Sequence, residues 1–194
     1  MPYAILLMGE DMAYLFSGLG FVFVVAIYLY NRFIRLENLA KEAWSDVNVQ
    51  LKRRYSLIPN LVEIVKGYMK YEAQTLNEIV SLRNTAINQT NPQQKEGSEN
   101  KITEHLMHVF AVAEKYPDLK ANEQFKELAT NLVDIENTLQ LARRYYNATV
   151  RDYNIAIHSF PSNLVASFMR IKEKTYFEIA DFETKNIKVQ FNEE

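Results

Sequence analysis

Between Met12 and Tyr30 the chain runs MAYLFSGLGFVFVVAIYLY, 19 residues without a charge, and no other stretch restricts its fold so strongly. A helix needs about 20 mostly apolar residues to cross a hydrocarbon core of about 30 Å, so the length predicts one transmembrane helix over 12–30. Tyr28 and Tyr30 at its exit suit an interfacial aromatic belt, and Gly18 and Gly20 are tolerated in lipid. A cleaved signal peptide fits less well, because the preceding segment holds Glu10 and Asp11 and no Lys or Arg. A buried core helix would need a polar face, and Phe21–Tyr30 has none. Basic residues follow the span (Arg32, Arg35, Lys41, Lys52, Arg53, Arg54) and none precedes it. Positive residues stay cytoplasmic, so residues 1–11 are expected outside and residues 31–194 inside, whether translation starts at Met1 or Met12.

Beyond the span the chain reads as helix. Only five Gly and five Pro in 194 residues disfavour a turn-rich β fold. Trp44, Val47, Leu51, Tyr55, Ile58, Val62, Val65 and Met69 step by three and four, and Leu76 and Ile79 extend the stripe towards Asn88. Pro59 predicts a kink or break near Leu57. Asn91–Ser98 reads as a polar loop, followed by a second helix over 99–115 with Ile102, Leu106, Phe110 and Ala113 inward. Tyr116-Pro117-Asp118 is a turn. Phe125, Leu132, Leu139, Tyr146, Tyr153 and Phe160 then recur every seven residues, with Leu128, Ile135, Ala142, Thr149 and Ala156 between them, until Pro161 closes the run. Three long amphipathic helices bury their stripes most economically against each other, as an antiparallel bundle over 31–160. In 161–194, a shorter helix capped by Ser162 or Asn163 is expected to about Ala180, then an extended Ile187–Phe191.

The run NLAKEAWSDVNVQLKRRYSLIPNLVEIVKGYMKYE (Asn38–Glu72) resembles the signature block of the LemA family. The resemblance continues through AEKYPDLKANEQFKEL (Ala113–Leu128) and ENTLQLARRYYNATVRDYNIAIHSFPSNLVASF (Glu136–Phe168). It implies a bacterial protein with one N-terminal membrane helix and a cytoplasmic helical bundle. It implies no particular biochemical activity.

Chemistry is sparse in the sequence. There is no cysteine, which removes disulfides, thiolate nucleophiles and cysteine metal sites. A net charge of −2 gives no field suited to nucleic acid. Glu104, His105 and His108 have metal-ligand types, but a di-iron bundle needs a second Glu-x-x-His and further carboxylates, so they read as solvent-facing and no cofactor is expected. Lys52-Arg53-Arg54 is too short for a lipid-headgroup cluster and reads as a solvated face with one Arg paired inside the bundle. Arg144 and Arg151, like Tyr146 and Tyr153, lie seven apart. That period predicts a structural polar network in which Arg144 or Arg151 pairs with Asp46 or Glu63 across the bundle, while the buried phenols find partners of their own. An anion-binding groove along the same arginines is the functional alternative, without a Gly-rich nest to support it.

These features predict a membrane-anchored helical scaffold rather than an enzyme, contacting the bilayer through 12–30 and unknown protein partners through the bundle. The heptads serve self-association equally well. A signalling adaptor is one rival, though about eleven outer residues are too few to fold into a sensor. A metal-dependent enzyme in the bundle is another.

Overall fold

A computed structural model of the chain describes residues 2–69 and 72–177, and the expected extended segment Ile187–Phe191 lies outside them. The elements are α1 (Pro2–Lys66), α2 (Ala73–Asn88), α3 (Pro92–Ala113), α4 (Pro117–Ala121), α5 (Glu123–His158) and α6 (Ser162–Phe168), with no strand among the described residues. The all-α expectation holds. The described residues belong to two compact units, Met1–Asp46 with Arg144–Lys174 and Val47–Arg143 with Thr175–Glu194.

In the first unit, α1 and α5 run antiparallel. Phe33 is buried with Ala156 and Ala166, and further along α1 the Trp44 ring lies 5.2 Å from Tyr146. Towards its N-terminal end α1 loses this cover. Phe16, Leu19, Phe21 and Phe23 are between 66% and 71% exposed. This helix is long and apolar enough to cross a membrane. Ser17, the one hydroxyl here outside the tyrosines, donates to the Tyr14 carbonyl at 2.8 Å, so it needs no water.

α6 stops at Phe168, short of the expected Ala180, because its end is closed by a Schellman motif. Ile171 N–H donates to Ala166 O at 2.9 Å and Arg170 N–H to Ser167 O at 3.1 Å, with Arg170 left-handed at φ 54°. Ile171 packs back on the cluster that contains Ala166. The chain then runs alongside α5, where the Asn154 side-chain amide donates to Lys174 O at 2.8 Å and accepts from Lys174 N–H at 3.0 Å.

In the second unit, of the kink or break expected near Leu57, the break does not occur. α1 continues through Pro59 to Lys66 and ends in a turn at Gly67 and Tyr68. Proline has no N–H to offer the carbonyl four residues back, here that of Tyr55. Arg83 of α2 fills the vacancy by donating Nε to Tyr55 O at 2.7 Å. The helix survives its proline because another element supplies the missing donor. The segment Asn91–Ser98 is also helical rather than a loop. Asn91 is an N-cap whose side chain accepts from Gln93 N–H at 3.0 Å, and Pro92 takes the first helical position, where no N–H is needed. Pro117 opens the short α4 in the same way, where only a turn was expected. On α5 the expected core residues from Phe125 to Tyr153 are buried except Ala142, which is half-buried, whereas Phe160 falls beyond the helix end and is 80% exposed.

Replacing Arg83 with Met should leave the Tyr55 carbonyl unpaired and cost about 1–3 kcal/mol in urea unfolding of the detergent-solubilised protein. In a Pro59→Ala background, where a backbone N–H is restored, the same replacement should cost well under half as much. Equal costs in both backgrounds would refute the pairing.

Candidate functional site: a buried charge network

On α1 the buried residues Val47, Leu51, Arg54, Ile58, Leu61 and Val65 alternate steps of four and three, so Arg54 occupies a core position. A guanidinium there has lost its water and must be matched by charge. Its Nη2 is ion-paired and hydrogen-bonded to Glu99 Oε2 on α3, and neither side chain has any exposure. Nη1 donates to Glu136 Oε2 on α5 at 2.7 Å and to Thr103 Oγ1 on α3 at 2.9 Å. The Tyr55 hydroxyl donates to the second oxygen of Glu99. Lys95 Nζ sits 5.7 Å from the centre of the Tyr55 ring. Glu99 also lies on a core line, followed by Ile102, Leu106, Val109 and Ala113.

Arg143, one heptad after Glu136, is 1% exposed and stacks over Phe177 at 4.9 Å. Its Nε and Nη2, like Nε of Arg54, have no hydrogen-bond partner among the described residues. Burial, and then the positive charge of Arg54, pull the Arg143 guanidinium down to about 10. Burial also lowers Lys95, against the opposing pull of Glu99. Burial pushes the Tyr55 phenol well above its ordinary range, and Glu99 adds to the effect. Tyr55 therefore stays a proton donor to Glu99. Three helices meet at this cluster, and its central ion pair is sealed from solvent. Such an arrangement is suited to fixing the register of α1, α3 and α5.

The expected pairing of Arg144 or Arg151 with Asp46 or Glu63 does not form. All four are exposed, and Arg151 instead reaches its neighbour Asp152 at 3.1 Å. The reason is one residue of register. Arg144 and Arg151 follow the core positions Leu139 and Tyr146 by five, which turns them to the outside of the helix, while Arg143 follows by four and points in. Glu63 lines an open, polar groove of about 610 Å³ with Asn60, Gln124, Glu127 and Asn131. Tyr146 and Tyr153 are buried as expected, Tyr146 against Trp44 and Tyr153 beneath the Lys174 ammonium at 5.2 Å. Desolvation raises both phenols, and Glu37 adds to the rise at Tyr153.

Lys52 and Arg53 are exposed while Arg54 is paired inside, which matches the reading of that triplet. Glu104 is exposed, whereas His105 approaches Glu78 at 3.5 Å and His108 approaches Glu72 at 3.7 Å. Among the described residues no three metal-ligand side chains converge. Arg54, Glu99 and Glu136 went unassigned in the sequence, although the step of three from Leu51 and four to Ile58 marks Arg54 as inward.

Glu99→Gln should strip Arg54 of its buried counter-charge and cost about 3–5 kcal/mol. Replacing both partners, Arg54→Met with Glu99→Leu, should cost much less, since neither charge is then stranded. A double-variant cost equal to the sum of the two single-variant costs would mean that the pair does not interact. Tyr55 ionises near 10.0 when unfolded and higher when folded. Its contribution is therefore complete below pH 10 and declines as pH climbs beyond it, because the unfolded chain releases the proton first. Tyr55→Phe should flatten the loss of stability above pH 10; an unchanged slope would show that this phenol does not carry it.

The whole cluster falls within residues 43–191, the stretch matched by the family model described as LemA family. Protein LemA of Metamycoplasma hominis is 25% identical over 173 residues, which cover 87% of this chain and 78% of that relative. Magnetosome protein MamQ 2 of Paramagnetospirillum magneticum is 24% identical over 190 residues, 84% of this chain and 70% of its own length. Magnetosome protein MamQ of Magnetospirillum gryphiswaldense is 23% identical over 174 residues, 76% of this chain and 64% of its own. A match that takes in more than half of the sequence is decisive, and the chain belongs to the LemA family.

Proposed function

We propose that the protein is a membrane-anchored helical scaffold that presents its bundle to other proteins in the cytoplasm of a bacterium. The observation that carries this reading is α1 itself, whose bare apolar end and packed core belong to one continuous helix. Residues such as Phe16 and Phe21 find no protein cover, and lipid is the solvent that accepts them. The basic residues after the span support a bundle on the cytoplasmic side of the inner membrane with the N-terminus outside. Inside the bundle the Arg54 charge is matched by Glu99 and Glu136, an arrangement suited to holding shape. Interaction is then left to the surface, where the groove around Glu63 and Glu127 offers polar, acidic contacts. Two relatives are named as magnetosome proteins, which supports work at a membrane within a larger assembly.

The cysteine-free sequence makes the topology directly testable. The full-length protein should remain in the membrane pellet after an alkaline carbonate wash. A single cysteine at exposed Val133 should resist a membrane-impermeant maleimide in intact cells and react once they are permeabilised. Recovery in the soluble fraction, or labelling from outside, would overturn the reading. Crosslinking in intact membranes should then recover a reproducible protein partner, whereas stoichiometric iron or zinc in the purified protein would favour an enzyme.

A further inference from the structure

The exit end of the apolar stretch of α1 has a neighbour. Ala26, Ile27 and Tyr30 line an open groove of about 470 Å³ together with Leu164, Phe168 and Met169 from α6 and the residue after it. Ala26–Tyr30 is one helical turn, about 6 Å along the axis. α6 divides by side. Ser162 and Ala166 are buried, and the Ser162 hydroxyl donates to Ala156 O at 2.7 Å. Leu164 and Phe168, four apart, point away and are 61% and 91% exposed. Phe160, in the turn that leads into α6, is 80% exposed. Three large apolar side chains within nine residues are turned to the outside beside the end of the span.

We propose that α6 and its flanking turn form a second membrane contact, lying in the boundary between headgroups and acyl chains of the leaflet from which α1 emerges. The inference rests on α1 spanning the bilayer, and the groove carries it the rest of the way. If Ile27 and Tyr30 occupy the last turn of the span, side chains that line the same groove share their depth. Leu164 and Phe168 must then meet lipid rather than water. The charges agree. On α1 the apolar residues give way to Arg32 and Arg35, and after α6 they give way to Arg170 and Lys172, all four exposed. Two neighbouring elements thus pass from apolar to basic, as an anionic leaflet requires. Glu173, the acidic residue of this stretch, is occupied by His158 at 2.8 Å.

The test uses the full-length chain in vesicles of phosphatidylcholine and phosphatidylglycerol, with one cysteine carrying an environment-sensitive fluorophore at Leu164 or Phe168. Reference labels go at Val22, within the span, and at Val133. Lipids bearing a nitroxide high on the acyl chain should quench the labels at 164 and 168 to within about twofold of one at Tyr30, given insertion of about 5–10 Å for an interfacial helix. The Val133 label should be unaffected, and circular dichroism should confirm an unchanged fold. Quenching at Val22, with the labels at 164 and 168 open to aqueous iodide, would overturn this proposal and leave the anchor intact. Loss of quenching at Val22 as well would overturn the anchor. Labels at 164 and 168 shielded from both quenchers would mean that a second copy covers α6, which also refutes the lipid contact.

Discussion

A single arginine at a core position organises the bundle's interior. Arg54 faces Glu99 and Glu136 from two other helices, and none of these contacts can slip by a residue without stranding a charge. Apolar stripes alone tolerate shifts, since one leucine replaces another at modest cost. Ion pairs do not, because an unmatched buried charge costs several kcal/mol, of the order of a whole domain's stability. Specificity of register is the use best attested for such groups, and the convergence of α1, α3 and α5 on one guanidinium fits it.

The same logic governs Pro59. A proline within a helix of 65 residues would ordinarily end it. Here the vacancy it leaves on Tyr55 O is taken by Arg83, so α2 becomes part of what keeps α1 in one piece. Tyr55 is thus gripped twice, by its carbonyl towards α2 and by its hydroxyl towards α3. Local propensity loses to tertiary contact at this residue, which explains why a break expected from the sequence is missing.

Periodicity made most of the architecture legible. The apolar span, the stripe through Met69 and the heptads of α5 are long signals that average over many residues, and the last two mark most of the core, with Trp44 and Ala142 only half-buried and Phe160 exposed. Errors arose where a single residue decides. Asn91-Pro92 could be read as loop or as a cap followed by a first turn, and only the hydrogen bond to Gln93 settles it. The network failed for a comparable reason. Arginines seven apart drew attention to the row at Arg144 and Arg151, but a repeat marks a row on a helix without saying which way that row faces. Counting from Leu139 would have favoured Arg143. Glu99 is hard to read because it opens the expected second helix, where no apolar residue before it marks the inward face.

The clasp between Asn154 and Lys174 also bears on how the chain can be shortened. The Asn154 amide, on a residue 7% exposed, meets the backbone of Lys174 through both its donor and its acceptor. A chain cut just after α6 would keep every helix yet leave that amide empty-handed in the protein interior. Asn154 on α5 thus holds backbone twenty residues further along the chain, past the end of the last described helix.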